Sequence, residues 1–160
     1  MTFKHAICGT ALGLALLTGS ASVALAQDKS IERAVTARQS LMALNAFNIG
    51  PLGAMAKGEI PYDAKVASAA ATNLSLLQQI DQSRMWPKGS DSETIDKTRA
   101  LPAIWEKYPD ILTKHDDAAK AADALAAVAG NGLDALRGAI GTMGKACGAC
   151  HELYRKPVKQ

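Results

Sequence analysis

Metal-binding side chains are scarce in this chain: three histidines and three cysteines among 160 residues. A closed structural zinc site needs four ligands, and beyond Cys147, Cys150 and His151 the part of the chain after residue 26 offers only His115. Aromatic residues make up 4 % of the sequence, and no run of alternating β-branched residues is long enough for a strand, which argues against a β-rich domain. A charge excess of one sign is missing too. The net charge of +3 falls to about +2 without residues 1–26, so nucleic-acid binding is not suggested. No internal repeat is present, and the length suits a single domain.

The N-terminus has one basic residue, Lys4, before a mostly apolar run from Ala6 to Leu17, then small residues ending Ala24-Leu25-Ala26. That is the layout of a secretory signal peptide cleaved after Ala26. Thr18, Gly19, Ser20 and Ser22 dilute the run, so a membrane anchor fits less well and no stable membrane insertion is expected after cleavage. A twin-arginine pattern is absent, so the chain should cross the membrane unfolded and receive any cofactor outside, in the periplasm. Cys8 leaves with the signal, and the mature domain, residues 27–160, keeps Cys147 and Cys150.

The mature chain is rich in alanine, leucine, lysine and glutamate, and the reading is all-α. From about Gly132 to Arg155, Leu133, Leu136, Ile140, Met143, Cys147, Cys150 and Tyr154 recur at steps of three and four, placing both cysteines on the core face of a last helix. A second stripe runs Ile104, Tyr108, Ile111, His115, Ala118, Ala122, Leu125, Ala129. Since proline suits a first turn but not a helix interior, the main helix there should begin near Pro109, with Leu101 to Tyr108 a separate turn or a kinked extension. The opening helix is expected over Lys29 to Asn48, with Ile31, Val35, Arg38, Met42, Asn45 and Ile49 on one side and Gly50-Pro51 kinking or ending it. Asp63 should cap a second helix reaching Gln82, with Val66, Ala70, Leu74, Leu77 and Ile80 or Asp81 inward. One long connection, Met85 to Arg99, separates the two helical pairs. Together these imply an antiparallel up-down-up-down four-helix bundle.

Cys147-Gly148-Ala149-Cys150-His151 carries the chemistry. Residues three apart share a helical side, so both thiols can reach neighbouring vinyl groups of one porphyrin edge, while His151 can rise beneath the ring to the iron. Small Gly148 and Ala149 leave the ring room. A thioredoxin-like redox pair would be expected after a strand in a βαβ setting, and none is seen. The motif therefore predicts one covalent haem c, with His151 as metal ligand.

Gly144-Lys145-Ala146-Cys147-Gly148-Ala149-Cys150-His151-Glu152-Leu153-Tyr154-Arg155 resembles the C-terminus of class II cytochromes c, the cytochrome c' family and its low-spin relatives. So do Arg38-Gln39-Ser40-Leu41-Met42, Gly58-Glu59-Ile60-Pro61-Tyr62-Asp63 and Ile104-Trp105, and the likeness spans residues 28 to 157. It implies a left-handed four-helix bundle, periplasmic location and often a homodimer. By the same resemblance Met42 occupies the position of the sixth iron ligand in low-spin members, and Arg155 sits near the proximal histidine. Arg38 and Gln39 interrupt an apolar face; a haem propionate would partner the guanidinium, unless the helix turns Arg38 into water. His115 is more readily a hydrogen-bonded core histidine than a ligand. Two functions stay open: an electron carrier serving periplasmic redox partners, with Met42 on the iron, or a five-coordinate binder of nitric oxide or carbon monoxide, with Met42 a packing residue. No confident distal acid–base pair stands out, so an enzyme is not expected.

Overall fold

The computed structural model describes residues 18–158, with side chains from residue 28 onward. Lys4, the run from Ala6 to Leu17, Cys8 and Lys159 lie outside the described residues. Among the described residues five α-helices succeed one another: α1 (Thr18–Lys57), α2 (Ala64–Gln78), α3 (Ala103–Glu106), α4 (Tyr108–Val128) and α5 (Leu133–Tyr154), with a 3-10 turn at Ser83–Met85. The four long helices form a ring in which α1 packs on α2, α2 on α4, α4 on α5 and α5 on α1. No helix among the described residues is long and apolar enough to cross a membrane.

Helix α1 departs from expectation by running through Gly50-Pro51 to Lys57. Proline lacks the N–H that would bond to the carbonyl of Phe47, a loss that a helix survives when packing compensates. Leu52 and Met55, just beyond it, are 0 % and 1 % exposed in the bundle centre. Termination comes instead at Gly58, whose φ of +77° suits glycine. There Gly58 N–H donates to Met55 O and Glu59 N–H to Ala54 O, the paired bonds of a Schellman cap.

The buried line of α1 also differs: Val35, Arg38, Leu41, Asn48, Leu52 and Met55 turn inward, so Leu41 rather than Met42 is on it. Helix α2 starts at the expected cap, with the Asp63 carboxylate accepting from Lys65 N–H and Val66 N–H. It stops at Gln78, one turn early, and buries Ala67, Ala70, Ala71 and Leu74, leaving Val66 exposed. Small residues there let α2 approach its neighbours closely, and backbone proximity outweighs the bulk of valine. Pro109 lies in the first turn of α4, as its missing N–H favours, and α3 is the separate preceding turn.

Two apolar clusters result. The larger gathers Leu52, Met55, Leu74, Leu125, Leu136 and Met143 along the bundle axis. The smaller joins Ala100, Ile104 and Tyr154, with Trp86, Trp105 and Ile111 against them, where the long connection meets the last turn of α5. At the other end, the Tyr62 hydroxyl donates to Ala129 O and accepts from Gly132 N–H, tying the two helix–helix turns together.

Candidate functional site

The last two turns of α5 carry Cys147, Cys150 and His151. Both cysteines are free and half-buried, and they face different surroundings. Cys147 packs against the axial cluster and Cys150 against the Trp86–Trp105 cluster, so the pair straddles the seam between the two. Burial pushes both thiols up and keeps them protonated. The half-buried imidazole of His151 is held below its ordinary range, first by burial and then by the guanidiniums of Arg155 and Arg99. It is therefore neutral at neutral pH, the form that binds a metal. Two free thiols on one face, an apolar seam beside them and a neutral imidazole in the next position suit a haem c.

Backbone pairing fixes this corner. Leu101 N–H donates to Tyr154 O and Lys156 N–H to Arg99 O, with Ala100 bridged to Arg155. Arg99 Nε adds a bond of 2.7 Å to Lys156 O. The Tyr154 hydroxyl donates to Asp110 of α4, which also faces Lys114 at 3.9 Å. That carboxylate, together with burial, pushes the phenol up to about 12. Arg155 is exposed and donates its N–H to His151 O as the cap of α5.

Arg38 is 3 % exposed, and its partners are groups of the long connection. Nη1 donates to Met85 O and to Ser90 Oγ at 2.7 Å, while Nη2 donates to Ser90 O and to Thr98 Oγ1. The guanidinium also lies 4.6 Å from the ring centre of Trp86, within cation–π range. Burial lowers it to about 10 against the opposing pull of Asp91, which leaves it charged at neutral pH. Of the five N–H groups only Nε–H remains outside these four bonds, so the buried guanidinium is satisfied by the loop. Gln39 is exposed and donates from Nε2 to Lys97 O at 2.6 Å.

Met42, one turn after Arg38, is 40 % exposed and belongs to neither cluster, whereas Met55 and Met143 are fully buried fillers. His115 pairs with the Gln82 side chain at 3.1 Å. Trp105 Nε1 donates to Trp86 O at 3.0 Å, and the two rings meet edge to face, as packing aromatics do.

The structure thus brings Cys147, Cys150, His151 and Arg155 together on α5, and bonds Arg38 and Gln39 to the connection between residues 85 and 98. Sequence reading passed over Arg99, Asp110, Ser90 and Thr98. Ser90 and Thr98 are short polar residues in a Ser/Gly/Asp-rich stretch, where nothing local signals burial.

The sequence profile of the family described as Cytochrome C' matches residues 33–155. A cytochrome c-554 of Cereibacter sphaeroides is 48 % identical over 134 residues, covering 83 % of this chain and 88 % of that protein. A cytochrome c' from the same species is 36 % identical over 140 residues, covering 88 % of this chain and 93 % of its own length. Among solved structures, a Rhodobacter cytochrome c' superposes with a TM-score of 0.77 at 37 % identity, covering 79 % of this chain and 97 % of that one.

Proposed function

Because this chain belongs to the cytochrome c' family, whose members are haem c proteins, we propose that it is a periplasmic electron carrier with iron held by His151 and Met42. Haem supplies the one-electron ferric/ferrous couple. Cys147 and Cys150 would hold the ring to α5, each thiol adding its sulfur and its hydrogen across one vinyl group, which would need no oxidant. His151 offers a neutral nitrogen, so no proton has to be displaced before it ligates. The pairing of residues 99–101 with 154–156 ties down the end of α5 that bears the imidazole.

Met42 carries the choice of carrier over gas binder. It lies one turn after Arg38 on α1 and is 40 % exposed, while the buried methionines Met55 and Met143 belong to the axial cluster. If Met42 held the iron, its thioether would raise the reduction potential and close the metal to weak ligands, the properties of a carrier. The similarity to a protein named cytochrome c-554, at 48 % identity, points the same way. Likeness to cytochromes c' supports the second reading, a five-coordinate iron binding nitric oxide or carbon monoxide.

Ferric and ferrous absorption spectra of the wild type and of Met42→Ala separate the two. The carrier reading expects a low-spin wild type that resists carbon monoxide and a high-spin variant that binds it. A high-spin wild type unchanged by the substitution defeats it. For residues 1–26 we propose a secretory signal, on the layout of their sequence.

A further inference from the structure

Arg99 reaches the site from outside α5. It stands on the segment that continues from the long connection, and three bonds hold that segment to the C-terminal turn: Leu101 N–H to Tyr154 O, Lys156 N–H to Arg99 O, and Arg99 Nε to Lys156 O. Ala100 is bridged to Arg155, whose own N–H is bonded to His151 O at 3.2 Å. The backbone of Arg99 is therefore one short step from the turn that presents the imidazole. Among the described residues, neither Arg99 nor Arg155 has a carboxylate within ion-pair distance, whereas Lys57, Lys114, Lys120 and Arg137 each do.

Arg155 and Lys156 have an ordinary duty at this place, compensating the negative end of the α5 dipole. Arg99 is not part of that helix, and its side chain is anchored at Nε by a carbonyl at the C-terminal turn, which leaves the rest of the guanidinium exposed. Asp110 of α4 meets the last turn of α5, and its charge is already shared between the Tyr154 hydroxyl and Lys114.

We infer that Arg99 is a positioning residue that acts through charge: held by the 99–101 strap against the C-terminal turn of α5, it works with Arg155 to raise the reduction potential of the iron that His151 ligates. The physical basis is simple. Oxidation adds a positive charge at the iron, and a fixed cation nearby opposes it more than it opposes the reduced state. Because Arg99 is exposed, its influence must shrink with salt, over a screening length of about 10 Å at 0.1 M ionic strength.

This rests on His151 being the axial ligand. The test uses purified holoprotein and two variants, Arg99→Gln and Arg99→Lys, with midpoint potentials from spectroelectrochemical titration at low and high salt. Lysine keeps the charge and loses the Nε bond to Lys156 O; glutamine loses both. The expected result is a lower potential for Arg99→Gln at low salt, narrowing at high salt, with Arg99→Lys close to wild type. An unmoved potential in Arg99→Gln overturns the inference. So does an equal shift in both variants, which would assign the effect to the strap's geometry. Electron paramagnetic resonance of the ferric wild type reports imidazole ligation separately; without that signature the ligand reading itself fails, whatever the variants do.

Discussion

Replacing Arg38 by methionine tests whether the long connection is part of the folded unit. The substitution keeps an unbranched side chain of similar reach and removes every donor. Ser90, 0 % exposed, would lose partners at its carbonyl and hydroxyl, and Thr98, 6 % exposed, one at its hydroxyl. A buried acceptor left unsatisfied costs roughly 1–3 kcal/mol, and loss of the Trp86 contact adds about 0.5–2 kcal/mol. Release of a buried charge from its desolvation offsets part of this, which leaves a net loss of about 3–5 kcal/mol. For a chain of this size 1 kcal/mol moves the melting point by roughly 3–4 °C, so the midpoint should fall by roughly 10–20 °C. Arg38→Lys should lie between, since an ammonium cannot reproduce the two-sided fork. Guanidinium unfolding of the holoprotein, followed by far-ultraviolet circular dichroism, reads the difference. If Arg38→Met stays within about 1 kcal/mol of wild type, the surface range, the loop network contributes nothing and the argument fails. If the variant is as stable as wild type but its potential or spectrum changes, a propionate is the partner that matters.

Covalent attachment predicts that haem colour stays with the polypeptide through acid–acetone extraction, because thioethers survive when axial bonds break; extraction of the colour would refute it. Cys147→Ala and Cys150→Ala should impair maturation, measured as haem stain per polypeptide, while Cys8→Ala should leave the mature cytochrome unchanged. N-terminal sequencing of the exported protein should begin at Gln27, and Met1 retained in a membrane fraction would show an anchor instead. Tyr154 makes a prediction about alkaline stability. Its phenol is raised to about 12 in the fold from the ordinary 10, so the stability it contributes is fully present below pH 10 and is lost as pH rises through 12. Tyr154→Phe should flatten that loss in urea midpoints taken across the window; an unchanged slope would remove Asp110 as the cause.

The helix-forming stripes were legible because burial has helical periodicity. The steps of three and four from Leu133 to Tyr154 mark the inward side of α5 from the residue pattern alone, and Asp63 and Pro109 act where their backbone preferences put them. Legibility failed where tertiary packing overrides a local preference. Pro51 reads as a stop, yet Leu52 and Met55 reward continuation; Val66 reads as core, yet close helix approach favours Ala67. In the site, Cys147, Cys150 and His151 stand out because their chemistry is written in five consecutive residues. Arg38 was recognisable as a buried charge in need of a partner, but its partners lie 47 to 60 positions away in a stretch with no periodicity. Arg99 was invisible for the same reason, since only the pairing of 99–101 with 154–156 brings it to the last helix.

The path from Arg38 through Thr98 and Ala100 to Tyr154 has a practical meaning for anyone who would redesign this scaffold. Thr98 Oγ1 accepts both from Arg38 and from Ala100 N–H, so the connection is pinned first to α1 and, two residues later, to α5. Length usually signals tolerance to editing, as in surface loops that accept grafted peptides or new chain ends. Here the longest connection is the least editable one, because a residue added between Ser90 and Leu101 would slip two anchored ends past each other. Grafts and circular permutations belong at Glu59 and Ile60, exposed in the turn between α1 and α2, where a change leaves the end of α5 that bears His151 undisturbed.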